Sequence, residues 1–134
     1  MANENPKLTI TLTGRPPVKI TKDEWPVIAS ADDIEYDNQY EFQANRTATW
    51  KLLVRQHKDG RTIVYAIHSY DSHWQGESGR DVRGGEMLAG GTDISAAIFR
   101  VAAEMESRLP EQWGKGTFPR LAHECIADLP AVEI

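Results

Sequence analysis

Two runs of residues with β-branched and aromatic side chains, Trp50 to Lys58 and Arg61 to Tyr70, flank the pair Asp59-Gly60. Asp-Gly tolerates the positive φ values of a tight hairpin turn, so this segment is expected to be an antiparallel β-hairpin centred on Asp59-Gly60. A two-residue turn pairs Lys58 with Arg61, which sets Val54 opposite Tyr65, Leu52 opposite Ile67 and Trp50 opposite Ser69. That register collects the apolar residues on one side. It leaves Arg55, Leu53 and Lys51 opposite Val64, Ala66 and His68 on a mixed second face.

Other segments are placed around this hairpin. Lys7 to Thr13 alternates polar and apolar residues, predicting a half-buried strand with Leu8, Ile10 and Leu12 inward. Gly14 and the run Arg15-Pro16-Pro17 are expected to end it, because proline removes amide donors. Thr21-Lys22-Asp23-Glu24 has capping-box spacing, predicting a short helix continuing irregularly past Pro26 through Ile28 and Ala29. Asp32 to Asn38 reads as an acidic turn, and Tyr40 to Ala44 as another strand. Tyr70 to Gly91 holds six of the ten glycines and reads as a long loop, a length at which loops are usually functional or disordered.

The hydrophobic period changes at Thr92. Ile94, Ile98, Val101 and Met105 recur at helical spacing, predicting a helix from about Asp93 to Leu109 with Thr92 as N-cap and Pro110 as stop. A second helix is expected after Thr117, with Leu121, Ala122, Cys125, Ile126 and Leu129 inward until Pro130. Strands first and helices last predict an α+β domain: an antiparallel sheet with a central hairpin, covered on one face by two C-terminal helices. At 134 residues, with no repeat or linker, the whole chain is expected to form one domain, residues 1–134.

One cysteine, and no charged-then-apolar leader before Lys7, argue for a cytoplasmic setting. No apolar run approaches the roughly 18 residues that span a bilayer, which argues against a membrane partner. The net charge of -5 is unevenly spread: residues 46–100 carry eight basic and six acidic side chains, and both flanks are acidic. Arg46, Lys51, Arg55, Lys58 and Arg61 are opposed locally only by Asp59, so the hairpin could present a positive patch or simply a solvated strand face.

No motif fixes a reaction. His68, Asp71 and His73 are metal-ligand types without a compact signature, so no metal is expected. Ser72 beside them supplies nucleophile and base types, but neighbouring residues on an extended chain rarely converge. Asp32-Asp33 and Glu104 with Glu106 fit solvated faces. Gly84-Gly85 through Gly90-Gly91 leads to a helix start as phosphate cradles do, yet it lacks their lysine, and Asp93 would repel a phosphate; no cofactor is expected. Cys125, on an inward stripe, reads as core.

The leading expectation is a non-enzymatic interaction domain that binds another macromolecule, a protein, through Tyr70, Trp74, Arg80 and Arg83, since exposed aromatic and arginine side chains anchor interfaces. The alternatives are nucleic-acid binding through Lys51, Arg55, Lys58 and Arg61, and an enzyme with its site in the glycine-rich loop.

The segments Thr11-Leu12-Thr13-Gly14-Arg15-Pro16-Pro17-Val18-Lys19-Ile20 and Gly79-Arg80-Asp81-Val82-Arg83-Gly84-Gly85-Glu86 resemble those of short uncharacterised accessory proteins of bacterial plasmids and integrative elements. The resemblance brings no catalytic motif. It implies a setting in which small accessory proteins bind host proteins or nucleic acid.

Overall fold

A computed structural model describes residues 6–37, 46–72, 80–109 and 116–131. Its strands are β1 (Lys7–Leu12), β2 (Arg15–Thr21), β3 (Val27–Asp37), β4 (Arg46–Gln56), β5 (Thr62–Ser72) and β6 (Arg80–Leu88); its helices are α1 (Ile94–Arg108) and α2 (Thr117–Asp128). The strands β3-β4-β5-β6 form an antiparallel sheet, and β1 with β2 forms a separate two-stranded ribbon. Helix α2 lies on β3 and β4, while α1 lies on β5 and β6. The architecture is the expected α+β arrangement, with both helices on one face of the sheet. No helix among the described residues is long and apolar enough to cross a membrane.

The hairpin turns at the expected place but with one residue more. Gly60 donates its N–H to the His57 carbonyl and His57 donates to the Arg61 carbonyl, both at 2.9 Å, so Lys58, Asp59 and Gly60 form a three-residue loop with Gly60 at φ +96°. Such a loop, a turn followed by a left-handed residue, is the next commonest hairpin connection after the two-residue one. Adding one residue shifts the register by one and exchanges the faces of β5. Val54 therefore lies opposite Val64, Leu52 opposite Ala66 and Trp50 opposite His68, while Tyr65 pairs with Leu53. The expected pairing of Val54 with Tyr65 is corrected accordingly. Residues Ile63 to Ile67 are apolar at both parities, so alternation alone did not distinguish the two registers.

Both parities of β5 are buried because both faces of the sheet are covered. On the helix side, Trp50, Leu52, Val54, Val64 and Ala66 pack with Ile98, Met105, Phe118, Leu121 and Cys125. On the opposite side, Ile63 and Tyr65 pack with Ile10, Leu12, Ile20 and Trp25 of the ribbon and its following turn.

The ribbon exists because Arg15-Pro16-Pro17 opens β2 rather than ending strand structure. Leu12 pairs with Arg15 and Ile10 with Val18, so the extra residue of a bulge falls at Pro16-Pro17, where no ladder amide is required. The helix expected after Thr21 is one 3-10 turn, Lys22–Glu24, without a side-chain cap, and Ile28 and Ala29 already belong to β3. The acidic stretch Asp32–Asp37 is likewise strand, not turn. An edge strand tolerates charge, and here Asp33 pairs with Arg120 of α2 while the Ser30 N–H donates to Asp128 at 2.9 Å. Tyr40 to Ala44, expected as a strand, lies outside the described residues.

Arg80 to Leu88 is also strand, paired with β5 along its length, and Tyr70 to Ser72 belong to β5, so the expected loop is corrected over those residues; its middle, residues 73–79, lies outside the described residues. Its glycines admit close neighbours: a Cβ at Gly85 would lie 2.7 Å from the Val64 carbonyl oxygen. The helix caps differ as well. Asp93, not Thr92, caps α1 by accepting from the Ala96 N–H at 3.2 Å, and Gly116 at φ +88° occupies the cap of α2 in place of Thr117.

Candidate functional site on the open sheet face

The ribbon covers only part of the sheet face opposite the helices. Beyond it, register sets Asp32, Lys51, Ile67 and Arg83 side by side across β3, β4, β5 and β6. Between this row and β1 runs a crevice of about 190 Å³. Leu8, Thr9, Ile10 and Thr11 form its β1 wall, Leu53, Tyr65 and Ile67 line its sheet side, and Lys22, Lys51, Arg55 and Arg83 surround it. Among the described residues four cations and no carboxylate line it, in a protein of net charge -5. Its volume is below the roughly 300–1,000 Å³ of drug-sized ligand pockets. A carboxylate, a phosphate or a few side chains of an extended segment match its size.

The four cations are held differently. Arg55 is a strut: its Nε donates to Tyr65 Oη and its Nη1 to the Trp25 carbonyl, each at 2.9 Å, tying β4 to β5 and to the end of the ribbon. Arg83 is exposed and shares one guanidinium nitrogen with Asp81 at 3.1 Å. Hydrogen bonds from Arg83 and Ser69 hold the Asp81 carboxyl below the ordinary carboxylate range. The Arg83 carbonyl accepts from Arg108 Nη1 at 2.8 Å, anchoring β6 to α1. Lys22 and Lys51 are exposed and have no ion-pair partner among the described residues. They are the cations free to meet an anion.

The expected basic group is thus divided. Lys51 and Arg55 belong to the crevice, whereas Lys58 and Arg61 lie at the hairpin turn. There Arg61 pairs with Asp59 at 2.8 Å and stacks over the Trp25 ring at 5.1 Å. Lys58 lines a broad depression of about 760 Å³ together with Asp23, Glu24 and His57. His57 approaches Asp59 at 3.1 Å and Glu24 at 3.9 Å, so this end is of mixed sign.

The expected protein-binding residues are also distributed. Arg83 faces the crevice. Tyr70 is half-buried on the helix side, against the cluster around Trp50. Arg80 takes its place in β6 opposite Tyr70, its side chain lying outside the described residues, as does all of Trp74. His68 is buried with its ring 5.0 Å from Trp50, in an edge-on arrangement. The side chains of Asp71, Ser72 and His73 lie outside the described residues, and among the described residues no group of three or more His, Cys, Asp or Glu could hold a metal. Cys125 is fully buried, and burial followed by the Asp128 charge pushes its thiol up to about 11.

Lys22 and the β1 wall, Thr9 and Thr11, were not legible as site residues. They are far in sequence from Lys51 and Arg83, and only packing of the ribbon brings them together. No protein-family model matches the chain, and neither does any curated protein or any solved structure.

Proposed function

We propose that this protein is a non-enzymatic interaction domain that captures an acidic segment of a protein partner in the crevice between β1 and the open sheet face. One observation carries the reading: Lys22, Lys51, Arg55 and Arg83 converge on a recess lined, among the described residues, by no carboxylate, while the chain as a whole is acidic. Complementary potential of this kind steers association and selects partners. Nucleic-acid binding is less favoured, because Lys58 and Arg61 sit apart beside Asp59 and Glu24 and do not extend the positive surface into a track. Arg83 is an anchor of this surface; Tyr70 lies on the other face of the sheet, and the side chains of Trp74 and Arg80 lie outside the described residues. The reading includes a cytoplasmic setting, supported by a lone cysteine kept as a buried thiol. It also includes a role as an accessory protein of a bacterial mobile element, supported by the resemblance at residues 11–20 and 79–86.

The test is a titration of isotope-labelled protein with hexaglutamate and, separately, with octathymidylate, followed by amide resonances. Hexaglutamate is expected to shift Thr9, Lys51, Ile67 and Arg83, with affinity falling as salt rises, and Lys51→Glu is expected to abolish the shifts. Tighter binding of octathymidylate, with shifts at Lys58 and Arg61, would replace this reading with the nucleic-acid one.

A further inference from the structure

One wall of the crevice is backbone. Among the described residues β1 pairs only with β2, and its other edge borders the recess. Which backbone groups point to that edge follows from the ladder. Lys22 donates its N–H to the Pro6 carbonyl at 2.9 Å, marking Pro6 and Lys22 as a hydrogen-bonded pair. Bonded and non-bonded pairs alternate in an antiparallel ladder, so with Lys7 opposite Thr21 and Thr9 opposite Lys19, the N–H and C=O groups of Lys7 and Thr9 point away from β2. The bulge places its extra residue in β2, leaving β1 regular, so the alternation continues to Thr11, and the turn begins at Thr13. Thr13 confirms the direction: its N–H donates to the Gly85 carbonyl at 2.9 Å, and its Oγ1 accepts from the Gly85 N–H at 3.1 Å.

Thr13 thus closes this edge against β6 at one end. Further along, Thr9 and Thr11 present backbone donors and acceptors with no strand partner among the described residues. Resting on the reading above, we infer that an extended acidic peptide of the partner protein adds to β1 as a third strand, over the open half of the sheet. In strand addition, main-chain hydrogen bonds supply affinity and alternate side chains supply selectivity. Thr9 and Thr11 provide the main-chain bonds. Every second side chain of the added strand faces the sheet, where Lys51 and Arg83 flank the half-buried Ile67. Carboxylates at those positions meet the two cations. A nucleic acid would satisfy the cations but has no backbone amides in strand spacing to match the carbonyls of Thr9 and Thr11.

The test uses the full chain and the blocked peptide acetyl-Thr-Glu-Val-Glu-Thr-Glu-amide. Two isomers are N-methylated, one on the amides of the alternate set facing β1 and the other on the solvent-facing set. One isomer is expected to lose about tenfold in affinity and the other to keep it, since a methyl removes a donor only where one is used. In the chain, Thr9→Pro removes an N–H that points away from β2, a substitution an edge strand accepts, and is expected to weaken the peptide by about tenfold with the unfolding midpoint retained. Lys51→Glu should weaken it as well. Loss with Lys51→Glu but none with Thr9→Pro would overturn strand addition and leave the cationic crevice standing, whereas no loss with either would overturn both. Should Thr9→Pro fail to fold, equal binding of the two methylated isomers to the unmodified chain overturns the inference, and unequal binding supports it.

Discussion

Gly84 and Gly85 are adjacent in β6 yet are required for different reasons. A Cβ at Gly85 would sit 2.7 Å from the Val64 carbonyl oxygen and 2.8 Å from Tyr65 Cβ, atoms of the neighbouring strand that cannot move independently. A Cβ at Gly84 would meet Thr13 Oγ1 at 2.8 Å and then the ends of the Glu104 and Arg108 side chains, which can rotate away. Gly85→Ala is therefore expected to cost about 1–3 kcal/mol, the range for overpacking, and Gly84→Ala less. Urea unfolding of the two variants measures this, and an equal or reversed order would contradict the packing described. Cys125 gives a second prediction at this scale. Its folded-state pKa, about 11, is raised by burial above that of an exposed thiol, near 8.5. A raised pKa means a contribution to stability fully present below the unfolded value and lost as pH rises through the folded one. The wild-type protein should accordingly lose stability between about pH 8.5 and 11 more steeply than Cys125→Ala. Parallel pH profiles of the two proteins would show that the thiol is not linked to folding.

Among the elements, the β4-β5 hairpin organises the rest, and its turn depends on one backbone conformation. Gly60 at φ +96° lets His57 and Arg61 close the loop, while Asp59 accepts from the Arg61 N–H at 3.0 Å. That backbone bond is the largest cause of the lowered Asp59 pKa. A β-branched residue resists positive φ, so Gly60→Val is expected to destabilise the protein by on the order of 1–3 kcal/mol. An unchanged denaturation midpoint and slope would count against this turn. Elsewhere the element boundaries reflect what each strand must pair with. β2 admits two prolines because it is a ribbon edge, and β3 admits four aspartates and glutamates within residues 32–37 because it is a sheet edge whose outer positions meet water or α2.

At the scale of the molecule, β4 and β5 contribute alternate residues to two clusters on opposite sides of one sheet. Trp50, Val64 and Ala66 belong to the helix side, and Ile63 and Tyr65 to the ribbon side. Neither the helices nor the ribbon can keep its apolar surface buried if these strands separate. A single unfolding transition is expected, with tryptophan fluorescence and far-ultraviolet circular dichroism giving the same midpoint. Trp25 reports the ribbon side and Trp50 the helix side, so the comparison extends to Trp25→Phe and Trp50→Phe variants. Separate midpoints for the two sides within one protein would mean that the ribbon is an independently melting attachment.

Local chemistry in the chain was enough to locate β1, the hairpin turn, both helices and their inward stripes, and hence the α+β class. Each of these rests on a pattern contained in a few consecutive residues: alternation in Lys7–Leu12, Asp59-Gly60 between strand-like runs, and helical spacing of Ile94, Ile98, Val101 and Met105. Tertiary structure decided the register, because Ile63 to Ile67 is apolar at both parities and only burial on two faces distinguishes them. It also made strands of Arg15–Thr21, Val27–Asp37 and Arg80–Leu88, whose prolines, carboxylates and glycines resemble breakers until their strand partners are known. The crevice belongs wholly to this second category. Lys22, Lys51 and Arg83 have no shared local signature, and they meet because the ribbon folds across the sheet and buries Ile10, Leu12 and Ile20, a long-range apolar contact that no window of the sequence contains.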